Sequence, residues 1–193
     1  MIRSQQQRQL LTLARESITW GLQHGKPLPV ETRLFDEELH RQGACFVTLH
    51  LHQQLRGCIG SLEAHQSLLN DVSENAYSAA FRDPRFDPLQ ADELADTEIS
   101  ISVLTPSIDM KFESESDLIA QLRPGVDGLV LKSGFHKGTF LPSVWDQLPE
   151  PRQFLRHLKR KAGLDLDYWS DNIQVSRYQT HSFAEEPSAA ASI

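Results

Sequence analysis

Cysteine is scarce in this chain: Cys45 and Cys58 are the only two among 193 residues, thirteen positions apart. So few thiols, with no export signal ahead of them, do not make a disulfide scaffold; both are expected reduced, in a cytoplasm. Long apolar runs are also missing. None approaches the roughly 18 residues of a membrane-spanning helix, and residues 1–15 lack the continuous apolar stretch of a signal peptide. No Cys-x-x-Cys pair, glycine-rich phosphate loop, Gly-x-Ser-x-Gly elbow, zinc-protease helix or papain- or caspase-like cysteine signature is present. No repeat of solenoid period occurs. Positive charge is not in excess either: the net charge is −7, which argues against nucleic acid as the main partner. The expectation is a soluble cytoplasmic protein without a cofactor or metal set.

What is present is an ordinary globular composition, 39% hydrophobic and 23% charged, long enough for one sizeable domain or two small ones sharing a core. Apolar residues at helical spacing predict helices over residues 5–24, 31–42 (Leu34, Phe35 and Leu39 inward), 67–81, 115–122 and 149–161. Ser67 reads as an N-cap. Alternation predicts strands over 44–51, 55–60 and 97–104, with shorter ones at 128–132, 138–141 and 173–178. Helices and hairpins mix without a regular βαβ rhythm, so the fold class is α+β, an antiparallel or mixed sheet flanked by helices. A single domain over residues 5–186 and a mobile Ala/Ser-rich tail over 187–193 complete the expectation.

The chemistry concentrates in Leu55-Arg56-Gly57-Cys58-Ile59-Gly60. Glycines beside a cysteine leave room for backbone or ligand, and an arginine two residues away shares its face and favours the thiolate. A three-residue loop, His52-Gln53-Gln54, would pair Leu51 with Leu55, His50 with Arg56, Thr48 with Cys58 and Val47 with Ile59. That register gives a polar strip of Thr48, His50, Arg56 and Cys58, with Cys45 facing away as a small buried hydrophobe. The strip suggests Cys58 as nucleophile or acid/base thiol and His50 as its assistant. Arg56, Gly57, Gly60, Glu98, Ser100 and Arg85 are the ligand-binding candidates, Glu98 and Ser100 lying on the polar face of the 97–104 strand. Each has a plainer reading: tight hairpin packing for the glycine–cysteine stretch, an ordinary solvent face for Glu98 and Ser100, and a turn-fixing ion pair for Asp83-Pro84-Arg85. The basic run Arg152, Arg156, Lys159, Arg160 and Lys161 reads as a solvated helix face. His50 and His52 lack further ligands for a metal site.

Taken together, Phe46-Val47-Thr48-Leu49, the glycine–cysteine stretch, Ala79 to Phe86 (AAFRDPRF), Glu98 to Thr105, Asp127 to Leu131, Gly138 to Pro142 and Phe154 to Leu164 resemble, in this order, the AmmeMemoRadiSam system protein A family, also called the AMMECR family. The resemblance covers about residues 10–186. It implies an α+β fold with a larger and a smaller lobe interleaved around a cleft near the glycine–cysteine motif. It also implies genetic company with a radical-SAM enzyme and a Memo-type protein, and no established reaction. Many relatives carry glutamine after the Pro142 position and a cysteine before the basic residues of the late helix; here Ser143 and Lys159 stand there. Three functions stay open: an accessory protein presenting a cleft to a small molecule or partner enzyme, a thiol enzyme acting on a small metabolite, and, less supported by charge, a nucleic-acid-binding regulator.

Overall fold

Alternating and helical apolar patterns resolve into two units in the computed structural model, which describes residues 2–186; the tail expected at 187–193 lies outside them. One unit comprises the chain up to Leu104 plus the stretch from His181, the other Thr105–Thr180.

The first unit contains α1 (Ser4–His24), β1 (Gln42–Gly43), β2 (Cys45–Leu51), β3 (Gln54–Gly60), β4 (Gln66–Ser67), α2 (Leu68–Phe81) and β5 (Thr97–Leu104). The second contains β6 (Ile108–Asp109), α3 (Glu115–Gln121), β7 (Gly128–Ser133), β8 (His136–Phe140), α4 (Pro151–Lys161) and β9 (Gln174–Tyr178). Strand β10 (Thr180–Ala184) returns to the first unit, giving a sheet of order β10-β5-β2-β3; the second sheet runs β6-β9-β7-β8. Helices flank antiparallel sheets, the α+β arrangement expected.

One face of the first sheet is buried. Val47, Leu49, Ile99 and Ile101 are fully inaccessible and pack with Leu10, Ile18, Leu69 and Val72 of α1 and α2. Cys45 belongs to this face. Beside it a polar cluster closes on Asp71, which accepts the Cys45 N–H at 2.8 Å, the Ser61 hydroxyl at 2.6 Å and the Asn75 amide at 2.9 Å. The second unit has its own core, where Trp145 stacks on Phe154 at 3.7 Å and its indole N–H reaches the Asp127 carbonyl at 2.7 Å.

Ser67 caps α2 as expected, its hydroxyl accepting the Asn70 N–H at 3.2 Å. Replacing Ser67 by alanine leaves a first-turn donor unpaired and should lower stability by about 1 kcal/mol, measured as a shift in urea midpoint at unchanged slope.

Four expectations need correction. Residues 31–42 do not form one helix: two short 3₁₀ turns, Thr32–Leu34 and Glu37–His40, are separated at Asp36, whose carboxylate accepts the Glu38 N–H and restarts the chain. Leu39 is buried there, but Leu34 is 68% exposed. The β2–β3 connection is a two-residue turn, with His52 and Gln53 both at positive φ (50° and 65°), the geometry that suits hairpin twist. His50 therefore faces Leu55, not Arg56, and Leu51 faces Gln54; a bulge at Arg56 absorbs one residue and restores Thr48 opposite Cys58 and Val47 opposite Ile59. Finally, Lys159 is not on a solvated face. It follows Leu155 by one helical turn, is fully buried, and places Nζ 2.6 Å from Glu115.

Candidate functional site

The outer face of the first sheet carries the polar strip. Because the Thr48–Cys58 pair is directly opposed, their side chains meet: Thr48 Oγ1 donates to Cys58 Sγ at 3.2 Å. Across β2, the register sets Thr48 against Ser100, His50 against Glu98 and Phe46 against Ser102. Cys58, Thr48 and Ser100 thus form one row of small polar side chains across three strands. Ser102 continues outward to Ser182 of β10 at 2.8 Å. Cys58, Thr48, Ser100, Ser102, Phe46, His50 and Glu98 are partly buried, and Ser182 is exposed. Neither the His50 nor the Glu98 side chain has a hydrogen bond or ion pair with a described residue, so both side chains remain available to a ligand.

The two glycines around Cys58 have separate jobs. A Cβ on Gly57 would stand 2.1 Å from the Ala79 carbonyl oxygen, so this glycine lets α2 approach β3 from the core side. A Cβ on Gly60 would stand 2.3 Å from the Phe46 ring, which occupies that space on the outer face. The room at both positions is already filled by the chain itself.

Charge is distributed differently from the simple reading of Arg56 as thiolate activator. The guanidinium of Arg56 makes a fork with Glu93, at 2.8 and 2.9 Å, and donates to the Asp87 carbonyl at 2.9 Å. This fork is what lowers the Glu93 carboxyl below its usual value. The cation at the cysteine is Arg85, whose Nη2 lies 3.3 Å from the Cys58 carbonyl oxygen. Arg85 is itself gripped by Asp83, at 2.9 and 2.7 Å, and Asp83 accepts the Cys58 N–H at 2.9 Å. Those Arg85 hydrogen bonds, followed by the Cys58 and Arg85 N–H groups, hold the Asp83 carboxyl far below the ordinary aspartate value. Cys58 lies on the outer strand, so its backbone N–H and C=O point away from β2. One aspartate and one arginine from the Asp83-Pro84-Arg85 corner satisfy both, and the strand edge is closed at the cysteine.

The thiols differ sharply. Cys45 is fully inaccessible, and burial, reinforced by the Asp71 charge, pushes it well above the usual thiol range. Cys58 is partly open and free. Among the described residues no three histidine, cysteine, aspartate or glutamate groups converge as a metal set. No helix among them is long and apolar enough to cross a membrane.

Of the sequence candidates, the structure brings Cys58, His50, Glu98, Ser100 and Gly60 onto one sheet face; Arg85 reaches it from the edge, while Arg56 turns to Glu93 and Gly57 to α2. The turn-fixing ion pair of Asp83 and Arg85 is legible in the sequence and forms in the structure, whereas the grip of Asp83 on the Cys58 N–H spans 25 positions, for which sequence offers no signal. Thr48 stands opposite Cys58 as the sequence predicts, and Phe46 shares that face by alternation.

A family model described as AMMECR1 matches residues 11–183. The chain belongs to the AMMECR1 family. A relative from Methanothermobacter thermautotrophicus is 38% identical over 185 residues, covering 93% of this chain and 94% of its own. Protein MJ0810 of Methanocaldococcus jannaschii is 34% identical over 169 residues, 83% of this chain and 81% of that protein. Among solved structures, the uncharacterized protein PH0010 of Pyrococcus horikoshii matches with a TM-score of 0.86 at 30% identity, covering 96% of this chain and 94% of that one. Membership of the AMMECR1 family agrees with the fold shared with PH0010. It carries no reaction with it.

Proposed function

We propose that this AMMECR1 protein is a binding or accessory protein that presents the sheet face of Cys58, Thr48, Ser100, His50 and Glu98 to a small molecule or partner enzyme in a cytoplasm. The partners in view are a Memo-type protein and a radical-SAM enzyme. One observation carries the reading: the Cys58 sulfur has a hydrogen-bond donor, Thr48, but no base within hydrogen-bond reach among the described residues. A nucleophilic thiol needs a group to take its proton, and a binding face does not. The thiol-enzyme alternative is supported by the Thr48 hydroxyl held against Cys58 Sγ and by the unpaired His50 side chain two residues along the same face.

Two measurements test the reading. Iodoacetamide should modify Cys58 in the folded chain and leave Cys45 untouched until denaturant is added. Binding to purified Memo-type and radical-SAM proteins from the same genome should then be measured by calorimetry. A binding face tolerates Cys58→Ser and loses at least about tenfold affinity in Thr48→Trp, which fills the row. Loss of all function in Cys58→Ser with partner binding intact would favour the enzyme; no binding to either protein would remove both from consideration as partners.

A further inference from the structure

The two edges of the first sheet are treated differently. At β3 the outward backbone groups of Cys58 are taken by Asp83 and Arg85. At the other edge, β10, the Glu185 N–H donates to the Ile99 carbonyl at 3.0 Å and Ser182 faces Ser102, which makes β10 antiparallel to β5. Alternation then directs the N–H and C=O groups of Ser182 and Ala184 away from β5. No described residue bonds to them.

Beside that edge runs a mostly apolar groove of about 880 Å³, with α1 as its floor. The helix lies under the inward residues of β10: His181 meets Gln7 at 2.9 Å, Phe183 packs on the core, and Arg15 is paired with Glu185 at 2.6 Å. The flank of α1 carrying Thr12, Glu16 and Thr19 is exposed and lines the groove. A strand added about 4.8 Å beyond β10 would lie along the groove, over this flank.

We propose that β10 and this groove bind an extended peptide segment of a partner protein by strand addition, its alternate apolar side chains entering the groove. The open edge supplies main-chain hydrogen bonds and the groove supplies side-chain selection, the division of labour of strand-addition grooves between an edge strand and a helix. Three charged residues line the groove without an ion pair to a described residue: Arg8, Glu16 two helical turns further along α1, and Glu186. A segment with an acidic residue at the Arg8 end of its apolar positions, and a lysine or arginine at the Glu16 and Glu186 end, completes the match. A second copy of this chain is a poorer occupant. Antiparallel pairing of two β10 strands puts both α1 helices on the same side of the joined sheet, where each would enter the other's groove.

The test is selection of a phage-displayed library of twelve-residue peptides on the immobilised full chain. Chosen peptides are then measured by fluorescence anisotropy against the wild type, Ala184→Pro and Thr12→Arg. Proline at 184 removes one outward N–H without touching the β5 ladder, and edge strands tolerate it. Thr12→Arg obstructs the groove from an exposed helix position, so it keeps the test valid if the proline variant unfolds. Enriched peptides of alternating apolar pattern, at least tenfold weaker with either folded variant, are the expected result. No enrichment over uncoated beads, or binding indifferent to both variants, overturns the proposal. So does a concentration-dependent dimer in sedimentation that Ala184→Pro abolishes, since the edge would then belong to a second copy.

Discussion

Gly57→Val is expected to destabilise the first unit by about 3 kcal/mol or more. The reason is backbone against backbone. The Cβ alone would sit 2.1 Å from the Ala79 oxygen and 3.0 Å from its carbon, and neither atom can swing aside as a side-chain tip would. Relief requires α2 to retreat from β3, and α2 supplies Leu69, Val72, Ala76 and Ala80 to the core that covers the sheet. Separating those contacts opens voids that the close-packed interior does not refill. Cys58→Ala, one residue along but directed to the outer face, should cost less than about 1 kcal/mol. Urea unfolding followed by circular dichroism compares the two; a Gly57→Val midpoint equal to that of the wild type would mean that α2 does not press on β3 as described.

The same hairpin shows what could be read without coordinates and what could not. Alternation along residues 45–51 and 97–104 correctly divides a buried face, with Cys45, Val47, Leu49, Ile99 and Ile101, from an outer one, because burial imposes a period of two. Thr48 opposite Cys58 follows from that division. The turn does not, since His52-Gln53 carries none of the Asn-Gly or Asp-Gly signal usual for two positive-φ residues. Two errors in loop length and bulge cancelled beyond Arg56, which is why the cysteine row was legible while the His50 partner was not. Lys159 illustrates another limit: its helical position fits the buried stripe, but its charge argued for solvent until Glu115, 44 residues away, appeared as its partner. Strand β10 carries no alternation signal, since Thr180 to Ala184 is short and mostly polar and Ser182 meets Ser102 across 80 positions.

The pairing of Asp83 with Arg85 is readable from the sequence but its bond to Cys58, 25 positions away, is not, and removal of Asp83 should be the second large effect. Its side chain is 2% exposed and serves three donors, the Cys58 N–H, the Arg85 N–H and the Arg85 guanidinium. Alanine leaves the partly buried Cys58 N–H unpaired and releases the corner that closes the β3 edge; Arg85, 54% exposed on its side chain, returns to water at little cost. The expected loss for Asp83→Ala is about 2–3 kcal/mol at neutral pH, set by the orphaned donor and the broken charge-assisted bonds. The pH dependence identifies the mechanism. Asp83 is depressed in the folded chain, chiefly by Arg85, whereas in the unfolded chain it titrates near 3.9. The folded state therefore binds fewer protons at this site, and its stabilising contribution is complete above about pH 5, then shrinks as the pH falls through about 4 and below. In Asp83→Asn that contribution is absent at every pH. The stability gap between wild type and Asp83→Asn should stay constant from pH 7 to about 5 and narrow on further acidification. Glu93, lowered by Arg56 in the same way, contributes to the acid sensitivity of both chains equally and cancels in the difference. A gap that remains unchanged down to about pH 3 would show that Asp83 closes the strand edge as a hydrogen-bond acceptor alone, without the charge that its pairing to Arg85 requires.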